Sequence, residues 1–161
     1  MRIVLQRVTK AQLFHNQEKR GAIDTGLVLL LGFGREDTPD LPQRPIWGKL
    51  LDKIVGLRIF PDHTGRSDQS LTDIQGSLMV ISQFTLYADW HKGRRPSFTP
   101  AARPELARDL FDRFVLDVSQ RAPGTVVTGL FGREMEIELC NWGPVTLTLD
   151  SHEGRTSHVS N

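Results

Sequence analysis

Residues 27–33 read Leu27-Val28-Leu29-Leu30-Leu31-Gly32-Phe33, a continuous apolar run with no polar side chain to mark a wet face. Such a run fits a β-strand buried on both sides. Residues 78–84, Leu-Met-Val-Ile-Ser-Gln-Phe, repeat the pattern and read as a second central strand. Working outward, residues 2–8 form a first strand, and 11–24 a hairpin region with Asn16-Gln17 at its tip. Residues 35–45 are polar with three prolines and form a loop, which Pro45 ends by opening a helix. Ile46, Leu50, Leu51 and Ile54 then recur at helical spacing. After a short strand at 57–60, Pro104 opens a second helix whose apolar stripe is Leu106, Leu110, Phe111, Phe114, Val115 and Val118, with Pro123-Gly124 as its stop. Strands at 125–129, 134–141 and 145–149 complete a mixed α/β domain over residues 1–150. Residues 151–161 have no apolar periodicity and are expected to be a disordered tail.

A chain of 161 residues, 39% hydrophobic and 24% charged, suits one soluble domain. No stretch approaches the roughly 20 apolar residues that cross a bilayer. The N-terminal residues read as a strand rather than a signal peptide, so a cytoplasmic protein with no membrane association is expected. Cys140 is the sole cysteine and lies in an alternating strand, which predicts a small packed core residue and no internal disulfide. The histidines, at 15, 63, 91, 152 and 158, are scattered and form no ligand-spaced pattern, so neither a metal nor a cofactor is expected. Gly32-Phe33-Gly34-Arg35-Glu36 lacks the third glycine and the Lys-Ser/Thr ending of a phosphate loop and reads as a turn. The net charge of +1 gives no sign of a nucleic-acid partner. Lys92, Arg94 and Arg95 do cluster in one short loop. They fit either a grip on a phosphate backbone or a solvated turn.

Two segments stand out. Ser82-Gln83-Phe84-Thr85 places polar groups at the exit of an apolar strand, where buried polar atoms need partners. They form either a satisfied polar rim or a site whose main-chain N–H groups converge on a carbonyl oxygen. In Asn141-Trp142-Gly143-Pro144-Val145-Thr146, proline removes a donor and glycine loosens the backbone. Taken alone, that segment reads as a hairpin turn.

Together with other blocks, these segments resemble the D-aminoacyl-tRNA deacylase family. The likeness covers residues 1–150. It includes Leu30-Leu31-Gly32, Gly34-Arg35-Glu36-Asp37, Leu57-Arg58-Ile59-Phe60, Ser82 through Asp89, Lys92-Gly93 with Arg95-Pro96-Ser97-Phe98, and Gly143-Pro144-Val145-Thr146. The resemblance implies a curved, barrel-like sheet with two main helices. It also implies a homodimeric hydrolase that cleaves the ester of D-aminoacyl-tRNA, and of glycyl-tRNA mischarged on tRNA-Ala. Ser82, Gln83, Phe84 and Thr85 would then form the catalytic segment, with the N–H groups of Phe84 and Thr85 as an oxyanion hole. The 2′-OH of the tRNA would assist the attacking water. Gly143-Pro144, cis in the family and braced by Arg7, would reach into the partner's pocket as a chiral filter. Lys92, Arg94 and Arg95 become candidate tRNA contacts. The chain departs from the family at Trp142, where Asp is common. A non-catalytic RNA- or DNA-binding module on the same fold is the reading from a different class.

Overall fold

The computed structural model of the protein describes residues 1–152. Its elements run β1 (Arg2–His15), β2 (Glu18–Ile23), β3 (Gly26–Gly32), α1 (Pro45–Gly56), β4 (Phe60–Pro61), β5 (Ser67–Gln69), β6 (Ser77–Ser82), α2 (Pro104–Ser119), β7 (Val126–Thr128) and β8 (Glu136–Asp150). Both apolar runs became strands, and they lie side by side: β3 and β6 pair in parallel, and β7 adds to β6 in parallel. Each parallel step requires a crossover, and α1 and α2 are carried on the two crossovers. β1 is antiparallel to β3 through its first half and to β2 through its second, while β8 runs along its other edge. The expected hairpin is present. Asn16 and Gln17 both take positive φ, 52° and 64°, as a two-residue turn with the twist of its strands requires.

Period-2 alternation sorts the side chains onto two faces. Leu27, Leu29, Leu31, Leu78 and Val80 point to the helices and join Trp47, Leu51, Phe111 and Phe114 in the larger core. Val28, Met79 and Ile81 point the other way, into a second cluster with Val8, Ala11, Leu13 and Ile23. That cluster needs no helix because the sheet curls over it. β2 approaches β7 so closely that a Cβ on Gly21 would lie 2.5 Å from Val127 Cγ1. The result is the barrel-like sheet with helices on its outside.

Three expectations change. The strands expected at 134–141 and 145–149 are one strand, β8, because both halves pair with β1 rather than with each other. Cys140 is exposed, not packed: it pairs with exposed Lys10 on the solvent face of the β1–β8 ribbon. The strand expected at 57–60 starts only at Phe60, since the chain leaves α1 through Leu57, whose N–H still bonds Lys53. At the start of the expected tail, Ser151 bonds both the Met1 carbonyl and the Met1 amine, and the Asp150 carboxylate accepts from the His152 N–H. Residues 153–161 lie outside the described residues. Among the described residues, no helix is long and apolar enough to cross a membrane.

The close β3–β6 contact gives a direct test. A Cβ on Gly26 would fall 1.9 Å from the Ser77 carbonyl oxygen, whereas one on Gly48 in α1 meets nothing within 4 Å. Gly26→Ala is expected to lower the unfolding free energy by about 1–3 kcal/mol or more in urea titrations. Gly48→Ala should raise it by roughly 0.5–1 kcal/mol through helix propensity. Equal effects of the two would mean the strands do not approach as described.

Candidate active site

The carboxyl ends of parallel strands are where open α/β sheets bind ligands, because the following loops diverge there and leave a crevice. β3 and β6 end side by side at Gly32 and Ser82, and a pocket of about 390 Å³ opens at that point. Leu31, Gly32, Ser82, Gln83, Phe84 and Phe98 form part of its wall, and among the described residues no ionisable side chain lines it. The chain cannot continue as a strand past Ser82. The Gln83 N–H bonds the Leu31 carbonyl at 2.7 Å, and the Gln83 carbonyl sits against Gly32, where a Cβ would lie 2.7 Å away. Gln83 thus turns the backbone into a 3-10 turn, Phe84–Tyr87. The N–H groups of Phe84 and Thr85, at the start of that turn, have no acceptor among the described residues. The Gln83 side-chain amide donates to the Thr85 hydroxyl, and Phe84 packs edge-on to Phe98 at 4.9 Å.

Chemically, the pocket wall offers the unpaired Phe84 N–H, the Ser82 hydroxyl and an apolar surface, with the Thr85 N–H and hydroxyl on the next residue of the turn. Among the described residues the lining holds no histidine or carboxylate, and the Thr85 hydroxyl is bonded to the Gln83 amide rather than to a base, so neither hydroxyl has the base that an activated nucleophile requires. Donors aimed at developing negative charge are what the site can supply.

The other sequence-selected residues gather elsewhere. Gln6 pairs with Thr146 and Val8 with Asn141, so two steps on β1 face five on β8. The surplus, residues 142–145, leaves the ladder as a bulge carrying the Gly143-Pro144 bond, which is cis. Arg7 lies beneath the bulge, buried at 6% exposure. Its Nε donates to the Trp142 carbonyl at 2.8 Å and its Nη1 to the Ile59 carbonyl. Gly143 has φ of 133°, and a Cβ there would lie 2.7 Å from Arg7 Nη2. Sequence reasoning missed Asn141. Its side-chain amide accepts from Val145 N–H at 2.9 Å and donates to the Val145 carbonyl at 3.3 Å, closing the bulge at its neck. The available signal was Asn beside Gly-Pro, since Asn mimics backbone at turns.

The two groups are apart within one chain. Arg2, whose guanidinium donates to the Leu86 carbonyl beside the pocket, is five residues from Arg7 along β1, or about 17 Å at about 3.4 Å per residue. Lys92, Arg94 and Arg95 sit together on a third feature, the loop between Asp89 and Ser97, whose ends exchange two N–H···O bonds of 2.7 Å.

Residues 4–150 match the family model described as D-Tyr-tRNA(Tyr) deacylase. A D-aminoacyl-tRNA deacylase of Nitratidesulfovibrio vulgaris is 48% identical over 153 residues, covering 95% of this chain and 94% of its own. One from Herpetosiphon aurantiacus is 49% identical over 154 residues, covering 95% and 96%. The chain belongs to the D-Tyr-tRNA(Tyr) deacylase family. Among solved structures, the c-Myc DNA Unwinding Element Binding Protein superposes with a TM-score of 0.82 at 34% identity, covering 93% of this chain and 98% of its own. A probable eukaryotic D-amino acid tRNA deacylase superposes at 0.77 with 18% identity, covering 92% and 97%, which supports the fold.

Trp142, at the position where the resemblance implies Asp, has a local role. Trp142 is half-buried on its own chain, with its ring 6.4 Å from Phe60 and the Arg7 guanidinium 4.7 Å above it. It therefore backs the bulge as a third layer, adding a cation–π contact to the two carbonyl bonds of Arg7. A lysine at position 7 has no planar fork to span both carbonyls. Arg7→Lys is expected to lower stability in urea titrations by at least about 1 kcal/mol, the cost of leaving a buried acceptor unmet. A change below about 0.3 kcal/mol would show that the bulge holds itself.

Proposed function

We propose that the protein hydrolyses the ester joining a D-amino acid to the 3′-terminal adenosine of tRNA, with the reacting carbonyl held at the Phe84–Thr85 N–H pair. The observation that carries this reading is the uncharged pocket at the ends of β3 and β6, where free main-chain donors stand without a base. An ester carbonyl that becomes an oxyanion needs donors at that oxygen, and fixed N–H groups supply them without reorganising. With no base beside Ser82 or Thr85, the attacking water is activated by the substrate's own 2′-OH.

The chiral filter is the bulge at Gly143-Pro144. A D and an L residue exchange the positions of side chain and hydrogen on Cα, so a rigid wall at the L position rejects one and admits the other. Rejection by about a thousandfold requires about 4 kcal/mol, which one unrelieved clash supplies. Glycine presents no side chain, so glycyl-tRNA, including that mischarged on tRNA-Ala, is also a substrate. The separation of bulge and pocket along β1 supports a homodimer in which each copy's bulge enters the other's pocket. Such an enzyme works where translation does, in the cytoplasm.

Parallel assays with D-Tyr-tRNA and L-Tyr-tRNA test the reading. The D substrate is expected to turn over about a thousandfold faster. Equal rates overturn the filter. Binding of tRNA without turnover of either overturns the hydrolase and favours a nucleic-acid-binding module, for which the likeness to the DNA unwinding element binding protein is the one observation. Thr85→Ala should keep most of the activity; its loss with tRNA binding intact would make Thr85 the nucleophile.

A further inference from the structure

The loop between Asp89 and Ser97 carries an arrangement that the pocket chemistry does not use. Trp90, at its start, is 73% exposed, far more than a residue with so much apolar surface ordinarily is. Its ring lies parallel to His91, with centroids 4.8 Å apart and an interplanar angle of 8°. His91 is fixed in turn: its Nδ1 lies 2.7 Å from the Asp89 carboxylate, which also accepts its backbone N–H at 3.0 Å. The stack therefore belongs to an ordered neck, held by Asp89 and Ser97, rather than to a free side chain. Directly after it come Lys92, Arg94 and Arg95, all exposed, and none makes an ion pair among the described residues. The far end of the same loop sends Phe98 back to Phe84 as a wall of the pocket. An exposed aromatic face and free cations thus stand on the loop whose end supplies Phe98 to the pocket, while His91 itself lines the neighbouring cleft with Arg2 and Tyr87.

We propose that the Trp90–His91 stack is a platform for an unpaired base of the tRNA acceptor end, just before the terminal adenosine, with Lys92, Arg94 and Arg95 holding the adjoining phosphates. The proposal rests on the deacylase reading and adds to it a second point of hold on the RNA. Aromatic faces bind bases of any identity, and cations beside them track the backbone; the two together mark a site for single-stranded nucleic acid. The acceptor end of a tRNA is single-stranded where it leaves the stem. A chain whose last ester lies at Phe84 must pass over the loop that supplies Phe98. The platform carries affinity and register, not chemistry.

The test compares Trp90→Ala and Trp90→Phe with the wild type on D-Tyr-tRNA and on 3′-D-tyrosyl-adenosine, which lacks the preceding nucleotides. Trp90→Ala should raise KM for the tRNA about tenfold, equivalent to about 1.4 kcal/mol, with less than a twofold effect on the adenosine ester. Trp90→Phe should recover most of the loss, because it restores an aromatic face. An unchanged KM for tRNA overturns the proposal. So does an equal loss on both substrates, which would place Trp90 in shaping the pocket, or a shift to monomer in sedimentation, which would place it between copies of the chain. Filter binding of uncharged tRNA separates this proposal from the one it rests on. Trp90-dependent affinity in a wild type unable to hydrolyse would sink the deacylase and leave the platform standing.

Discussion

Two carbonyl oxygens pressed against two glycines determine where everything else in this protein lies. At one end of the β3–β6 pair the Ser77 carbonyl occupies the place of a Cβ on Gly26, and at the other the Gln83 carbonyl crowds Gly32. No side chain fits at either point, so the strands close to a distance that only bare backbone allows. Between those ends every residue of the pair except Ser82 is drawn into one of two cores, which fixes the register that a one-residue slip would invert. The Gln83 contact then decides how the chain leaves the sheet. A strand that could have run on to Phe84 is stopped at Ser82 and turned, and the turn frees the N–H groups of Phe84 and Thr85.

Main chain, rather than side chains, makes up the chemically useful surface, and the side chains that matter most are those that hold it. Arg7 spends its guanidinium on two carbonyls and a tryptophan face, Asn141 spans the neck of the bulge, and Gly32 admits the Gln83 carbonyl. Arg7 and Asn141 lie outside the wall of the pocket, and Gly32 lines it with bare backbone alone. Their effect is positional, and a rigid main chain loses little freedom on meeting a substrate. The absence of an ionisable group from the pocket lining fits the same design, since a charged side chain there would need a partner or would shift its protonation.

How far this was legible in the sequence depended on how local each cause was. The two central strands and both helices follow from apolar periodicity, and the hairpin at Asn16-Gln17 from turn chemistry. Each is decided within a dozen residues. The bulge was misread because its cause is remote. Residues 141–146 alone look like a hairpin turn, and only pairing of both flanks with β1, more than a hundred residues away, makes them an insertion in a continuous strand. Cys140 failed for the same reason, since its face is set by Lys10 across the ladder. Asp117 lies at a polar break in the stripe of α2, yet it is buried because Trp47 Nε1 and Arg113 both donate to it. Nothing in the helix itself announces the partner on α1.

β1 ties the two halves of the candidate site together and also keeps them apart. It is bonded along one edge to β3 and β2 and along the other to β8, so it cannot bend without breaking ladders on both sides. The bulge at Arg7 and the pocket beside Arg2 are thus mounted on one stiff rod about 17 Å apart. A flexible loop could swing a filter over a pocket, but a bulge clamped by Arg7, Asn141 and Trp142 cannot. The rigidity that would let such a bulge discriminate mirror images therefore forbids it from serving its own pocket. Under the proposed function, such a filter would be usable only if a second copy of the chain brought its bulge to the first, and recognition and assembly would then be one requirement.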